Sequence, residues 1–220
     1  MCYNARRNIF ALMGATTVRR NNMSGIITIS REYGAGGHSI AKRVAAELGI
    51  EIYDRDIIRD TVKDSGLDTS VIEHEEEEIS RMDAFLRAIT PAAYVDRREA
   101  IHEIERRVIL MLAAKGPCII LGRCADAILD KANVDCLNVF IYADDLHRAA
   151  RVSELIGSNN PSDIQKAMKK TDAARRSYYQ QFAGRHWGDY HNYNLMLDSG
   201  LLGYDTCVKL ICEAARAAKE

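Results

Sequence analysis

The sequence predicts an α/β protein in which a parallel β-sheet lies between two layers of helices. Two observations support this fold class. Short apolar runs recur along the 220-residue chain, separated by segments long enough to hold a helix, and such alternation implies βαβ crossovers. A glycine-rich segment also follows the first run and precedes a helical pattern, which is the arrangement of a phosphate-binding turn. We therefore expect a three-layer α/β/α domain with a ligand site beside its first strand.

The apolar runs define five predicted strands and the segments between them define the helices. The strands are expected at residues 26–30, 50–53, 118–121, 137–143 and 194–197. Ile40, Val44 and Leu48 follow the first strand at helical spacing, and Gly49 ends that helix. Residues 60–115 exceed what one crossover requires. We interpret them as a helical insertion that could close over a ligand, with additional helical packing as the alternative.

The second half of the chain shows a helix, a break and a longer helix. Asp144 is a predicted N-cap, and the helix after it carries Arg148 and Arg151, three residues apart. Residues 157–161 break the chain, and a new helix runs from about Ser162 to Gly184. Two helices joined by such a break are what a mobile lid would require, and we expect this lid at residues 150–175. A closing helix is expected from Asp205 to about Ala218.

Composition excludes several classes of function. The 30 basic and 31 acidic residues give a formal charge of -1, so no sequence-wide positive field draws nucleic acid or anionic lipid. No apolar run reaches eighteen residues, which argues against a membrane span. The six cysteines form no C-x-x-C pair and predict reduced thiols in a cytoplasmic protein. We expect residues 1–24 to be a poorly ordered tail and residues 25–220 to form a single domain.

The glycine-rich segment has the composition of a phosphate-binding loop. It comprises Gly34, Ala35, Gly36, Gly37, His38 and Ser39. Closely spaced glycines let backbone N–H groups converge on an anion at the positive end of a helix, and the hydroxyl of Ser39 could ligate Mg²⁺. The match to G-x-x-x-x-G-K-[ST] is incomplete, because the lysine is absent and Arg31 occupies the place of the leading glycine. A tight turn without a ligand is the alternative interpretation.

The missing lysine requires another source of positive charge. Its ammonium normally follows the β and γ phosphates during transfer, and His38 or Arg31 could substitute. Arginine side chains also bind phosphate oxygens bidentately. Four of them flank the break at residues 157–161, namely Arg148, Arg151, Arg175 and Arg176. The alternative is a set of surface ion pairs, for example Asp172 with Arg176.

Taken together, the motifs resemble those of one protein family. They lie at residues 29–37, 53–56, 121–123, 172–179, 187–189, 192–195 and 198–199, and include Ser30-Arg31-Glu32-Tyr33-Gly34, Tyr53-Asp54-Arg55-Asp56 and Leu121-Gly122-Arg123. This set resembles the P-loop nucleoside monophosphate kinases, and within them the bacterial cytidylate kinase-like proteins. The resemblance covers the chain from about Ile26 to its C-terminus.

The resemblance implies a P-loop fold, a sheet order of 2-3-1-4-5 and roles for individual residues. By this comparison the glycine loop holds the donor phosphates, while Asp172 and Arg175 match the family's lid pair. On the acceptor side, Asp54 falls near the family's acidic residue that faces the acceptor nucleotide, and Arg59 falls near the arginine that contacts its phosphate. Asp54 could equally cap the following helix. Arg123 matches an arginine expected at the acceptor phosphate. Cys124 stands where true cytidylate kinases have an aspartate, and the nearest acid is Asp126.

The expected function is ATP-dependent and Mg²⁺-dependent phosphoryl transfer to a small acceptor. A nucleoside monophosphate is the first candidate, with CMP or dCMP as the default. Two alternatives remain open, a nucleotide-binding module that has lost turnover and a kinase for a non-nucleotide acceptor. We expect no nucleic-acid or membrane partner, and the helical insertion allows a homodimer.

Overall fold

The computed structural model describes residues 25–64 and 91–218. Residues 1–24, predicted as a tail, and residues 65–90 of the predicted insertion lie outside the described residues. The sheet has five parallel strands in the order β2-β3-β1-β4-β5. This confirms the predicted α/β fold and strand order. β1 is central, so that Ile29 aligns with Leu121 on one side and Val139 on the other.

The strands agree with the predicted runs to within one or two residues. They are β1 (Ile27–Arg31), β2 (Glu51–Tyr53), β3 (Cys118–Leu121), β4 (Leu137–Tyr142) and β5 (Leu195–Asp198). The helices are α1 (Gly37–Leu48), α2 (Arg55–Asp64), α3 (Pro91–Ala114), α4 (Ala125–Lys131), α5 (Asp145–Ile156), α6 (Pro161–Ala183) and α7 (Ser199–Ala217), with a 3₁₀ turn at Tyr190–Asn192.

The last helix differs most from its prediction. It begins at Ser199 rather than near Asp205, because the Asp198 carboxylate caps it by accepting hydrogen bonds from the backbone N–H groups of Gly200 and Leu201. Gly203, with φ 73 and ψ 160, then introduces a kink. The apolar periodicity used for the prediction starts only after this kink.

Two hydrophobic clusters cover the two faces of the sheet. Ile27 and Ile29 of β1 pack with α1 and α7 on one face. Ile26 and Ile120 pack with α3 and α4 on the other. Strands covered on both faces read as continuous apolar runs, which is why they could be found in the sequence. Within the described residues, no helix is both long and apolar enough to cross a membrane.

The topology determines where a ligand can bind. β1 has β3 on one side and β4 on the other, and open α/β sheets bind ligands at the carboxyl ends of the strands where the strand order reverses. At this edge, β1 leads towards the glycine loop and α1, and β3 leads through Gly122 and Arg123 to α4.

Candidate active site

A cavity of about 720 Å³ opens at the carboxyl ends of β1 and β3. Among the lining residues that the structure describes, none is an aspartate or glutamate, and five are arginines that come from separate elements: Arg31, Arg55, Arg98, Arg123 and Arg175. A cleft lined by one sign of charge concentrates the field and attracts counter-ions. Because the whole chain is close to neutral, this positive charge is local. The cavity therefore fits a ligand with several negative charges.

The Arg31 side chain crosses the amino end of α1. A β-carbon added at Gly37 would lie 2.6 Å from Cβ and 2.7 Å from Cγ of Arg31, closer than real side chains approach. A β-carbon at Gly122, where φ is +78°, would overlap Nη1 of Arg31. Glycine at both positions therefore makes room for this one arginine.

Like charges surround the Arg31 guanidinium. Burial, followed by repulsion from Arg175 and Arg123, lowers its pKa to about 9, and Asp54 opposes this effect. A bound anion would offset the repulsion among these arginines and raise their pKa values, because it stabilises the charged form of each side chain.

Arg175 reaches the same edge of the sheet from α6. Its Nη1 donates a hydrogen bond to the Arg31 carbonyl oxygen at 2.8 Å, and its guanidinium lies 5.7 Å from the centre of the Tyr33 ring. Asp172 is 3.9 Å from the same nitrogen, and burial lowers the pKa of Arg175. The contact with Arg31 anchors α6 at the carboxyl end of β1.

Arg123 is presented by an unusual backbone. Arg123 and Cys124 both have positive φ, 57° and 54°, which L-residues rarely adopt and which costs about 1–3 kcal/mol per residue. The Arg123 guanidinium is 3.2 Å from Glu105 of α3, a carboxylate whose side chain is 3% exposed. Tyr178 of α6 donates a hydrogen bond of 2.7 Å to the other oxygen of Glu105. α3 and α6 thus hold the strained turn together.

Arg148 and Asp172 are buried in an ionic network outside the cavity lining. They pair directly with each other, and Glu32 lies 3.3 Å from Arg148. Nε of Arg148 donates to the Tyr33 carbonyl at 2.9 Å, while Asp172 accepts from the Tyr33 N–H at 2.8 Å. This network joins α5 and α6 to the start of the glycine loop.

Arg151 has a different environment from Arg148. Its side chain is 42% exposed and pairs with Glu154, and it is absent from the cavity lining. Three residues on a helix are about 300° of rotation, so the two side chains diverge by about 60°. That difference buries one arginine and leaves the other at the surface.

The glycine loop is packed from behind by other elements. Gly34 lies against the Arg148 carbonyl and Val152, and Gly36 lies against Tyr204. Ala35 and Gly37 are buried, whereas His38 is exposed and Ser39 half-buried. The cavity lining includes Arg31 and none of residues 34–39.

Ser39, the proposed metal ligand, lies one residue after the Ser or Thr position of the phosphate-binding motif. Ser39 is the third residue of α1. If Arg31 stands for the leading glycine, the Ser or Thr position of the pattern falls on His38. Nδ1 of His38 is 3.7 Å from the Asp54 carboxylate. In the part of the chain that the structure describes, no three His, Cys, Asp or Glu side chains cluster as metal ligands would.

Asp54 caps α2. Its Oδ1 accepts the N–H groups of Asp56 and Ile57, each at 3.1 Å. Of the two roles left open by the sequence, the structure shows the cap, and contact with an acceptor stays a prediction. The side chain of Arg59 lies outside what the structure describes.

The cytidylate kinase-like family model matches residues 26–201. The chain belongs to this family. The matched residues include the strands, the glycine loop, the turn that carries Arg123, and the helices that carry Arg148 and Arg175. Together with the kinase-like fold, membership supports a nucleotide-dependent kinase-like function.

Solved structures show the same fold. An uncharacterized protein from Eubacterium ventriosum is 25% identical, with a TM-score of 0.68 over 87% of this chain and 98% of that one. A shikimate kinase from Bacteroides thetaiotaomicron is 13% identical, with a TM-score of 0.50 over 87% and 98% of the two chains. At that identity it shows the fold alone. No curated protein matches the chain.

Sequence reasoning did not assign three residues of this cytidylate kinase-like site. Arg55 follows Asp54 in the Tyr53–Asp56 motif, which was used only for the resemblance. Arg98 and Glu105 lie seven residues apart on α3, so they share a helix face. That spacing is visible in the sequence, but it does not reveal that α6 packs against the face.

The same face of α3 carries His102, whose environment leads to a pH prediction. Its Nδ1 is 2.9 Å from the Tyr178 hydroxyl, and its ring stacks on Phe182 at 4.0 Å. Burial, then Lys131, lowers its pKa from 6.5 to about 4, with Glu103 opposing and Arg106 and Arg123 adding to the effect. His102 is therefore neutral at pH 7.

We expect His102 to make the folded state less stable as the pH falls from 6.5 towards 4. In this window the unfolded chain protonates the imidazole and the folded chain does not, so stability rises with pH. Melting temperatures of wild type and His102→Gln should be measured between pH 4 and 8. On acidification the melting temperature of the wild type is expected to fall more than that of His102→Gln. If the two melting temperatures changed in parallel with pH, the lowered pKa of His102 would be contradicted.

Proposed function

We propose that this protein transfers the terminal phosphoryl group of ATP to a small anionic acceptor, with nucleoside monophosphates, CMP or dCMP first, as the leading candidates. The observation that carries the proposal is the cavity lined by five arginines at the carboxyl end of β1, beside the glycine loop. Phosphoryl transfer needs positioning and electrostatic stabilisation more than covalent help from the protein. Arginines arranged around one cavity supply both.

The reaction requires two anionic groups to meet. The bond between the γ-phosphorus and its bridging oxygen breaks, and ADP leaves with the electron pair. An ionised phosphate oxygen of the acceptor forms the new P–O bond, so no base has to remove a proton. In the proposed arrangement the loop of residues 34–39 holds the donor phosphates, and Arg175 lies between the loop and the cavity. Arg123, Arg55 and Arg98 bind the acceptor phosphate.

Mg²⁺ that arrives with ATP would neutralise part of the charge of the donor phosphates. The residues at the amino ends of α1 and α2 fit such an ion by their chemistry, since a hydroxyl at Ser39 and a carboxylate at Asp54 are oxygen donors of the kind that Mg²⁺ prefers. Arg148 and Asp172 contribute by holding the lid helix α6 against the loop. Arg151 would reach the donor only if the helices of the lid move.

The proposed insertion and lid each include an arginine of the cavity lining. Arg98 lies on α3, within the proposed insertion at residues 60–115, and Arg175 lies on α6, at the end of the proposed lid at residues 150–175. Both segments would then bring positive charge to an acceptor that lies between them.

The proposal is tested by ADP release from Mg·ATP in the presence of CMP, dCMP, UMP, AMP, cytidine and shikimate. We expect turnover with a nucleoside monophosphate and none with cytidine, which lacks the phosphate. Arg175→Met should lower kcat about 10³-fold, because arginines that stabilise transferred phosphate contribute on that scale. Lys170→Met, exposed on the same helix, is the control and should retain wild-type rates.

A nucleotide-binding module without turnover is the second candidate, favoured by glycine at position 37 in place of the motif's lysine. In that case ATP would raise the melting temperature while no acceptor gave ADP. Turnover with shikimate or another phosphate-free acid would instead indicate a kinase for a non-nucleotide acceptor.

A further inference from the structure

We propose that Arg31 replaces the missing loop lysine, with its guanidinium binding the donor β and γ phosphates during transfer. This inference rests on the proposed phosphotransferase function. In the phosphate-binding motif the positive charge belongs to the lysine at the position of Gly37. Here the charge would come from Arg31, six residues earlier. In this role Arg31 contributes only charge and hydrogen bonds. The covalent bonds that break and form are those of the phosphoryl transfer described above.

The first argument is an exchange of residue types between two positions. The phosphate-binding motif has glycine at its leading position and lysine immediately after its second glycine. Here these positions hold Arg31 and Gly37. The Arg31 stem runs across the backbone of Gly37, where an added β-carbon would be 2.6 Å from Arg31 Cβ. A side chain at 37 and the observed Arg31 cannot coexist, so the two departures from the motif compensate each other.

The second argument is the unbalanced charge of Arg31. Arg123, which is close to Arg31, and Arg148, in the ionic network behind the loop, each have a carboxylate within 3.3 Å. No ion pair among the described residues joins Arg31 to a carboxylate. Arg175 and Arg123 both repel its charge, and the more distant attraction of Asp54 opposes them. A buried cation is costly unless it is paired. An anionic ligand would supply the close pairing that no described carboxylate gives Arg31.

The third argument separates Arg31 from His38, the other candidate replacement. His38 is 45% exposed on its side chain and faces Asp54 at 3.7 Å. It is absent from the cavity lining, which includes Arg31. Arg31 also contacts α6 through its carbonyl oxygen, which accepts from Arg175. The Arg31 guanidinium is therefore placed between the loop and the acceptor cavity.

The experiment compares Arg31→Met, Arg31→Lys, Arg31→Gly, Gly37→Lys and the exchange variant Arg31→Gly/Gly37→Lys. For each, kcat and KM are measured with the best acceptor, and ATP affinity is measured by calorimetry without acceptor. We expect Arg31→Met to lower kcat about 10³-fold and to weaken ATP binding at least tenfold. Arg31→Lys should retain more activity than Arg31→Met. The exchange variant should recover at least tenfold in kcat over Arg31→Gly, because it restores the motif's own order of glycine and lysine.

Arg43→Met is the matched control, since Arg43 is a half-exposed arginine on α1 that pairs with Asp205. It should leave kcat and ATP affinity within twofold of wild type. Arg31→Met with wild-type kcat would overturn the proposal, and so would tighter ATP binding, which would mean that the guanidinium fills the phosphate position.

The binding data separate this inference from the proposed function. If the wild type turns over no acceptor, the phosphotransferase proposal fails, and weaker ATP binding by Arg31→Met would still support the phosphate contact. If the wild type is active and Arg31→Met is equally active, the function stands and the assignment of Arg31 fails.

Discussion

Replacing Arg148 by methionine is expected to lower the free energy of unfolding by about 3–5 kcal/mol, the usual effect of removing one partner from a buried ion pair. The Arg148 side chain is 8% exposed, and it pairs with Asp172, itself 11% exposed. Without it, Asp172 keeps the Tyr33 N–H as a hydrogen-bond donor and Arg175 at 3.9 Å, but it loses its closest cation. For a domain of this size the melting temperature should fall by about 10 °C. Urea unfolding followed by circular dichroism measures the change.

Arg151→Met is the matched control, because it removes an exposed arginine from the same helix. Its pair with Glu154 should contribute less than about 1 kcal/mol. Arg148→Met/Asp172→Leu removes both charges together, and we expect it to recover much of the stability lost in Arg148→Met. This double variant also keeps the test informative if the single variant fails to fold. A loss below 1 kcal/mol for Arg148→Met would show that the network does not hold the two helices.

The fold could be predicted because its determinants are local. β1, with Ile26 just before it, and β3 have buried side chains on both faces of the sheet, Ile26 and Ile120 on one face and Ile27 and Ile119 on the other, which produces short, mainly apolar runs. Gly49, Gly157 and Gly184 end helices in the left-handed conformation that favours glycine. The early start of α7 depends on the Asp198 cap and the Gly203 kink. It could not be found from apolar spacing because its first turn is largely exposed.

The site was predictable only in part, because several of its contacts join residues far apart in sequence. The resemblance pointed to Arg123, and both the resemblance and the break at residues 157–161 pointed to Arg175. The structure brings both to the cavity. Arg148 and Arg151 appeared equivalent on a helix, and the structure distinguishes them because Arg148 alone contacts Asp172 of α6 and Glu32 beside the glycine loop. The passage of Arg31 over Gly37 depends on side-chain direction, which the motif pattern does not encode.

Glu105→Gln is expected to lower kcat/KM for the acceptor about 100-fold while leaving ATP affinity unchanged. Glu105 is the buried carboxylate that pairs with Arg123 at 3.2 Å and accepts a hydrogen bond from Tyr178. Glutamine retains the hydrogen-bond acceptor but removes the charge, and truncating a buried charge pair costs about 2–5 kcal/mol. Arg123, whose backbone has a φ of 57°, would no longer be held towards the cavity. Acceptor kinetics at saturating ATP measure the effect.

Two comparisons show whether Glu105 acts through Arg123. In an Arg123→Met background, Glu105→Gln should change kcat/KM little further, since residues that form one contact are non-additive. Glu103→Gln, on the same helix, removes a partly exposed carboxylate that pairs with Arg106 and Arg107, and it should leave acceptor kinetics within twofold. If the Glu105 and Arg123 effects simply multiply, Glu105 does not position Arg123. If they do not, the strained turn after β3 is held for acceptor binding by a carboxylate from α3 and a tyrosine from α6, and both helices are parts of one acceptor site.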